Sequence, residues 1–200
     1  CIRDRLIDRI KDSAKQKGTG RWASIEALKQ GVDISMITSA CTARIMSNHL
    51  DEREKAWQLI HSPAVGLSPD KESFAAMVRE ALYTGKIIAY AQGFSLMQDA
   101  SRLYGWNLDL GKIASIFRAG CIIQAVFLND ITHAFEAEPK PESLIFDGFF
   151  LSRINEHQDS LRQAVSTGVM NGLPIPALCN AVSYLDEFRA KAAGANLIQA

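Results

Sequence analysis

The sequence has no excess of charge of either sign. Its 22 Lys and Arg residues balance 22 Asp and Glu residues, whereas a broad nucleic-acid-binding surface usually brings a basic excess. We therefore expect no nucleic acid among its partners. The length of 200 residues, 48% of them hydrophobic and 22% charged, suits a globular domain with one sizeable core.

Cysteine and histidine are scarce, and their spacing carries no metal-binding pattern. The eight residues are Cys1, Cys41, Cys121, Cys179, His49, His61, His133 and His157. Neither paired cysteines nor an HExxH motif occurs, so we expect no metal site and no secreted disulfide framework. Buried, reduced thiols in a cytoplasmic protein are the better interpretation.

No long apolar run is free of helix-breaking residues. The longest uncharged run, residues 163–185, is interrupted by two glycines, two prolines and two asparagines. It is interpreted as a turn with flanking helical pieces, and not as a membrane span. No positively charged start followed by an apolar stretch and a cleavage site opens the chain, so we expect no secretory signal.

What the sequence does contain is a compact glycine loop, Lys17-Gly18-Thr19-Gly20-Arg21-Trp22. Glycines allow successive N–H groups to turn toward one ligand, and such a concave nest of donors binds phosphate or carboxylate. Lys17 adds a charge and Thr19 a hydroxyl, beside an aromatic anchor. A helix starting just after Trp22 would point its N-terminal dipole at the same spot. The alternative is a solvated turn between two helices.

The charge around this loop is uneven. Residues 1–22 hold seven Lys or Arg against three Asp, which would favour an anionic ligand. Alternating charges on a solvated helix face would explain most of this equally well.

Apolar periodicity predicts helices throughout, and no stretch alternates as a strand does. We therefore predict an all-α fold. The strongest case is a helix from Asp70 to Tyr104, with Asp70 as N-cap and Gly105 as stop. A second helix, apolar on nearly all sides and therefore buried, is predicted after Asp109 to about Ala134. Others are predicted at 3–14, 23–30, 34–48, 51–60, 143–170 with a break near Ser152, and 175–190.

Two segments of the chain look alike. Residues 31–40 and 172–181, at an offset of 141, share glycine, isoleucine and alanine at matching places. Both are predicted to contain a helix end, a short link and a new helix start. Shared helix punctuation could produce this match by chance, and duplication is the hypothesis that competes with it. Only the first copy has an arginine, Arg44, where the second has Leu185.

The glycine loop, preceded by Ile10, Asp12 and Gln16, resembles the sequence signature of the 6-phosphogluconate dehydrogenases, the decarboxylating enzymes of the pentose phosphate pathway. Lys15 departs from it, at a position where the family usually has a small residue. The resemblance covers nearly the whole chain, through Ala27-Leu28, Gly31-Val32, Ala43-Arg44, residues 51–53, 86–94, 118–123, 166–169, 174–176 and 195–200.

The resemblance implies a fold and a site. It implies an all-α domain of two related helical halves, spanning 1–200, that binds substrate and dimerises. In the family, the matching positions of Lys17, Thr19 and Arg44 hold the phosphate of 6-phosphogluconate. From the residues alone, Arg44 in its apolar helix needs either an anionic ligand or an acidic partner such as Asp51 or Glu52. Arg118 also matches a family position, but is expected to tie helices together.

The resemblance further implies the chemistry: hydride transfer to NADP, loss of carbon dioxide and protonation of an enediol. No βαβ unit with GxGxxG occurs here. The family's dinucleotide-binding domain and its catalytic lysine and glutamate would precede Cys1, and its substrate-reaching tail would follow Ala200. We expect no catalytic residue in this segment, no activity of it alone, and a homodimer. The rival hypotheses are a stand-alone helical binding or assembly module and a related β-hydroxyacid dehydrogenase acting on an unphosphorylated acid.

Overall fold

The computed structural model describes residues 6, 8–63, 66 and 70–200. Within these residues the chain is helical and no strand occurs, which confirms the predicted all-α class. The helices are α1 (Thr19–Gln30), α2 (Ser35–Ser47), α3 (Leu50–Leu59), α4 (Lys71–Tyr104), α5 (Leu110–Ile116), α6 (Leu128–Glu136), α7 (Gly148–Met170), α8 (Pro176–Arg189) and α9 (Ala195–Gln199), with a 3₁₀ turn at Leu144–Phe146.

Helix α4 is the central element of the fold. The Asp70 carboxylate caps its first turn by accepting hydrogen bonds from the N–H groups of Glu72 (2.8 Å) and Ser73 (3.2 Å). Gly105, at φ 65°, ends it in the left-handed conformation that favours glycine. One side of the middle of α4 is buried in the core, and the helix packs along α7. The prediction of a helix from Asp70 to Tyr104 is confirmed.

The predicted continuous helix from 110 to 134 is wrong. Helix α5 ends at Ile116 and α6 begins at Leu128, with turns between them. Gly120 has φ +68°, and Ile122 and Val126 are 100% and 88% exposed instead of buried. Apolar periodicity therefore predicted a buried helix where the single chain exposes the segment between α5 and α6 on its surface.

The link between α5 and α6 is held by side chains of α4. The Lys86 ammonium donates to the Gln124 carbonyl (2.9 Å), and the Tyr90 hydroxyl donates to the Ile123 carbonyl. These carbonyls therefore bind α4 side chains and not helical N–H groups. Arg118 donates to the Ser115 carbonyl (3.3 Å) and to Asn129 of α6 (2.7 Å), as expected of a residue that ties helices together.

Other helix boundaries differ less. The predicted helix at 3–14 is wrong for residues 8–14, which form turns and irregular chain, and residues 1–5 and 7 lie outside the described part. Helix α1 begins at Thr19, four residues earlier than predicted. The predicted break near Ser152 is wrong. Helix α7 is continuous from Gly148 to Met170, and the Asp147 side chain caps its N-terminus. The helices predicted at 34–48, 51–60 and 175–190 are confirmed to within one residue or so.

The two similar segments have the same local backbone. Gly31 and Gly172 end their helices at φ +72° and +66°. Three residues later Ile34 (φ −126°, ψ 39°) and Ile175 (φ −121°, ψ 48°) stand at the N-caps of α2 and α8. The backbone between them is thus repeated.

Their hydrogen bonds repeat as well. The Val32 N–H donates to the Ala27 carbonyl at 2.9 Å, and the Leu173 N–H donates to the Gly168 carbonyl at 2.9 Å. Donor and acceptor are both displaced by the same 141 residues. The same bond also ends α4, from the Trp106 N–H to the Ser101 carbonyl (3.1 Å), so shared helix punctuation produces this detail as well as duplication does.

Helices α2 and α8 also pack against each other. At their contact the Asn180 amide donates to the Ser39 hydroxyl (3.2 Å). These two residues are equivalent positions of the two segments, and equivalent positions meet when two elements are related by an approximate twofold axis. The pairing agrees with a domain of two related helical halves.

The N-terminus of α2 is fixed by a buried side chain of α4. The Gln92 amide is fully buried; its oxygen accepts from the Met36 N–H (3.1 Å) and its nitrogen donates to the Ser35 hydroxyl (3.3 Å). N-cap Ile34 has no side chain that can cap this helix, and the Asp33 carboxylate accepts from the Ser35 N–H (2.6 Å) but not from the Met36 N–H. Gln92 therefore supplies the hydrogen bond that an N-cap residue would give.

Replacing Gln92 with leucine should lower the free energy of unfolding by about 1–3 kcal/mol, because the Met36 N–H would be left buried without a partner. Chemical denaturation followed by circular dichroism measures this. Gln58→Leu is the control, since Gln58 is an exposed residue that bonds only Glu54 on its own helix, and it should change stability by less than about 0.5 kcal/mol. Equal effects of both substitutions would contradict the capping role.

Candidate anion-binding site

The glycine loop leads directly into α1. Gly18 has φ +102°, and Thr19 is the first helical residue. The first bond of the helix runs from the Trp22 N–H to the Gly18 carbonyl (3.0 Å), so the N–H groups of Thr19, Gly20 and Arg21 have no partner within the helix. No acidic side chain lies in this first turn. The positive end of the helix dipole is therefore open to an anion.

The two glycines have different roles. Only Gly18 uses a backbone conformation that favours glycine, whereas Gly20 is helical. A Cβ on Gly20 would lie 3.6 Å from the Cys41 sulfur of α2, in ordinary contact. Trp22 covers Gly18, where a Cβ would lie 3.4 Å from its ring, but remains 63% exposed. Trp22 thus packs on the loop and is not anchored in the core.

A cleft of about 570 Å³ opens between this loop and the end of α2. It is lined by Lys15, Gln16, Lys17, Gly18, Arg21, Trp22, Ile45, Asn48 and His49. Among the residues that the structure describes, three permanent cations line it, Lys15, Lys17 and Arg21, and no carboxylate does. His49 is held by Glu52, with 3.3 Å between Nδ1 and Oε2. The arrangement suits a phosphate or carboxylate ligand.

The structure brings only one of the three predicted site residues into this cleft. Lys17 lines it, while Thr19 and Arg44 are exposed residues beside lining residues in the sequence and are not part of its wall. Lys15 and Arg21 line the cleft but were not among the candidates. Arg21 lies in the first turn of α1. A predicted start of α1 at Thr19 would have made Arg21 a candidate site residue.

The predicted apolar surroundings of Arg44 are wrong. Its neighbours Ile45 and Met46 are 50% and 60% exposed, so Arg44 lies on a solvent-facing part of α2. Among the described residues neither Asp51 nor Glu52 forms an ion pair with it, and Glu52 pairs with His49. At the equivalent position of α8, Leu185 is buried. Within the described chain the Arg44 guanidinium therefore has no acidic partner.

Another cavity, of about 800 Å³, lies near α4 and α8. Its wall carries both signs of charge, including Asp33, Asp99, Arg102, Lys140 and Glu142. Arg102 and Asp99 already form an ion pair at 2.8 Å. This mixed lining gives no preference for an anion.

Neither a metal cluster nor a bilayer-crossing helix is found in the described part of the chain. No three His, Cys, Asp or Glu side chains of residues 6, 8–63, 66 and 70–200 are grouped to hold a metal ion. None of the helices described combines the length and apolar character needed to cross a membrane. Cys41, Cys121 and Cys179 are free thiols, but each is half-buried and not fully buried as predicted.

A family model described as "6-phosphogluconate dehydrogenase, C-terminal domain" matches residues 2–200. The chain belongs to the 6-phosphogluconate dehydrogenase family. It is 44% identical over 195 residues to the decarboxylating 6-phosphogluconate dehydrogenase of Lactococcus lactis and 45% identical over 196 residues to that of Mus musculus. Each alignment covers 98% of this chain but 41% of the relative.

A solved structure has the same fold. The 6-phosphogluconate dehydrogenase of Plasmodium falciparum aligns with 97% of this chain at a TM-score of 0.91 and 36% identity, over 42% of its own length. That enzyme was solved in its apo form and in complexes with its cofactor NADP⁺ and its substrate 6-phosphogluconate. The chain thus spans about two fifths of the length of its relatives in this family.

Gly18→Ala should lower the free energy of unfolding by about 1–2 kcal/mol, because φ +102° is strained for any residue with a Cβ. Gly20→Ala is the matched control two residues away. Since Gly20 is helical and a Cβ there meets only ordinary contacts, its stability should stay the same or rise slightly. Thermal unfolding of both variants measures this, and a loss that is larger for Gly20→Ala would contradict the assigned roles.

Proposed function

We propose that this chain is the all-α part of an NADP-dependent, decarboxylating 6-phosphogluconate dehydrogenase, which oxidises 6-phosphogluconate to ribulose 5-phosphate and carbon dioxide in the cytoplasm. Residues 1–200 form one domain, and its task is to bind the phosphate end of the substrate and to dimerise. NADP is bound mainly by another part of the enzyme. Family membership and the similarity to decarboxylating 6-phosphogluconate dehydrogenases support the reaction.

The observation that carries the substrate assignment is the cleft at the start of α1, whose described lining residues include cations and no carboxylate. Lys17 lines it, and the N–H groups of the first turn of α1 open at the same end. A phosphate there would accept from Lys17 and from the Thr19 hydroxyl, and Arg44 would reach it from α2. Two fixed cations and a helix N-terminus match the charge of a phosphate monoester, whereas plain gluconate carries no charge at that end.

Exposed apolar residues support the homodimer. Ile116, Ile122, Ile123 and Val126 lie on or next to the α5–α6 link that Lys86 and Tyr90 hold on α4. Apolar side chains exposed together along one short segment suit an interaction site, because large exposed apolar patches mark such sites in soluble proteins.

Titration calorimetry of 6-phosphogluconate against this chain tests the substrate assignment, with gluconate as the ligand control. We expect phosphate-dependent binding that weakens about tenfold or more in Lys17→Ala and Arg44→Ala, since each loses a charge-assisted contact worth about 1.5–3 kcal/mol. Lys55→Ala removes an exposed cation of α3 that does not line the cleft, and it should bind like the unmodified chain.

Two results would contradict the proposal. Equal affinity for gluconate and 6-phosphogluconate would show that the site does not recognise the phosphate group. The absence of any binding would leave assembly as the function that this segment performs by itself, as expected for a stand-alone helical module.

A further inference from the structure

The irregular segment before the glycine loop is bound to α2 and α3 by side chains. The Arg53 guanidinium of α3 donates to the Asp12 carboxylate (2.5 Å) and to the Asp12 carbonyl (3.2 Å). The Ser13 hydroxyl donates to the Asn48 amide oxygen (2.7 Å). Residues 12 and 13 are therefore held although they belong to no helix.

The next residue continues this pattern with its backbone. The Ala14 N–H donates to the Ser47 hydroxyl (2.9 Å), and the Ala14 carbonyl accepts from the Asn48 amide (3.0 Å). Both partners also bond the Arg44 carbonyl, at 2.8 and 2.6 Å. The same two side chains thus join the segment to the helical turn that begins with Arg44.

Gln16 makes the last of these contacts, directly before Lys17. Its amide nitrogen donates to the Cys41 carbonyl (3.0 Å), and its amide oxygen accepts from the Cys41 thiol (3.2 Å). Cys41 precedes Arg44 by three residues, which places both on neighbouring positions of one helix face. Gln16 therefore connects the Lys17 loop to the helix that carries Arg44.

We infer that Gln16 is a positioning residue for the phosphate site: it fixes Lys17 and the glycine loop relative to Arg44. The ligand named in this inference rests on the proposed function. The contact between Gln16 and Cys41 is observed in the structure and does not depend on that proposal. Lys17 is exposed, and Gly18 has the backbone freedom of a glycine. Among the described residues, Gln16 makes the side-chain hydrogen bonds that connect the loop to α2. The contacts of residues 12–14 lie upstream and would keep that segment in place. Loss of Gln16 would then loosen the loop and leave the fold intact.

Holding binding groups in place before the ligand arrives removes the entropy cost of ordering them. The planar Gln16 amide donates one hydrogen bond to Cys41 and accepts another from it. Together these two bonds restrict both the distance of Gln16 from α2 and its orientation toward that helix. The expected signature of their loss is weaker binding of the phosphate end only, with little change in melting temperature.

The test compares Gln16→Ala and Gln16→Glu with Gln58→Ala, whose exposed amide bonds only Glu54. Gln16→Glu keeps the size of the side chain but cannot donate to the Cys41 carbonyl. Affinities for 6-phosphogluconate and gluconate are measured by calorimetry, and exchange of the Trp22 amide proton, which bonds the Gly18 carbonyl across the loop (3.0 Å), is measured without ligand. For both Gln16 variants we expect about tenfold weaker 6-phosphogluconate binding, unchanged response to gluconate, faster exchange at the loop, and a melting temperature close to that of the unmodified chain.

Unchanged exchange at the loop in both Gln16 variants would overturn the inference, whatever the ligands do. So would unchanged discrimination between the two ligands, or a fall in melting temperature that accompanies the loss of binding. If the unmodified chain binds no 6-phosphogluconate, the proposed function fails, and the amide exchange still decides whether Gln16 fixes the loop.

Discussion

The site depends on one buried contact, the Gln92 amide of α4 against the N-terminus of α2. The N-cap residue Ile34 makes no capping bond, and the amide that caps the Met36 N–H comes from the middle of the central helix α4. This polar contact adds a fixed axial position to the apolar packing of α2 against the core and α8. Apolar packing alone would permit sliding and rotation of α2, because it is non-directional.

From α2 the constraint extends outward. Helix α2 packs against α8. Its residues Cys41 and Ser47, and its C-cap Asn48, form hydrogen bonds with the segment that precedes the glycine loop. The candidate anion-binding cleft thus lies between the end of α2 and an irregular segment that hydrogen bonds hold against α2. Flexible surface residues acquire a defined site because a rigid scaffold orders the backbone next to them.

Local sequence signals predicted the parts of the fold that local chemistry decides. Asp70 and Gly105 bound α4 because a cap and a left-handed stop act within one turn. The segment from 117 to 127 could not be predicted in this way, since its carbonyls bond Lys86 and Tyr90, more than thirty residues away. Arg44 shows the same limit. Its apolar neighbours indicated burial, but which face of a helix is covered depends on tertiary packing. Lys17 was found because glycine geometry and charge lie next to each other in the sequence, whereas Arg21 joined the cleft only through the early start of α1.

The contact between Ser39 and Asn180 has a consequence for how the two halves could diverge. Two identical helices that pair about a twofold axis must use one residue for both sides of each axial contact, as in an isologous dimer. Once both copies lie in one polypeptide, each position mutates independently. A serine can then face an asparagine, giving an unequal donor and acceptor in place of two like groups. By the same freedom one copy keeps a leucine in the core at 185 while the other presents a cation to solvent at 44. Covalent linkage of the halves therefore relieves the chain of the compromise that symmetry imposes, and permits one half to expose a charge where the other packs an apolar side chain.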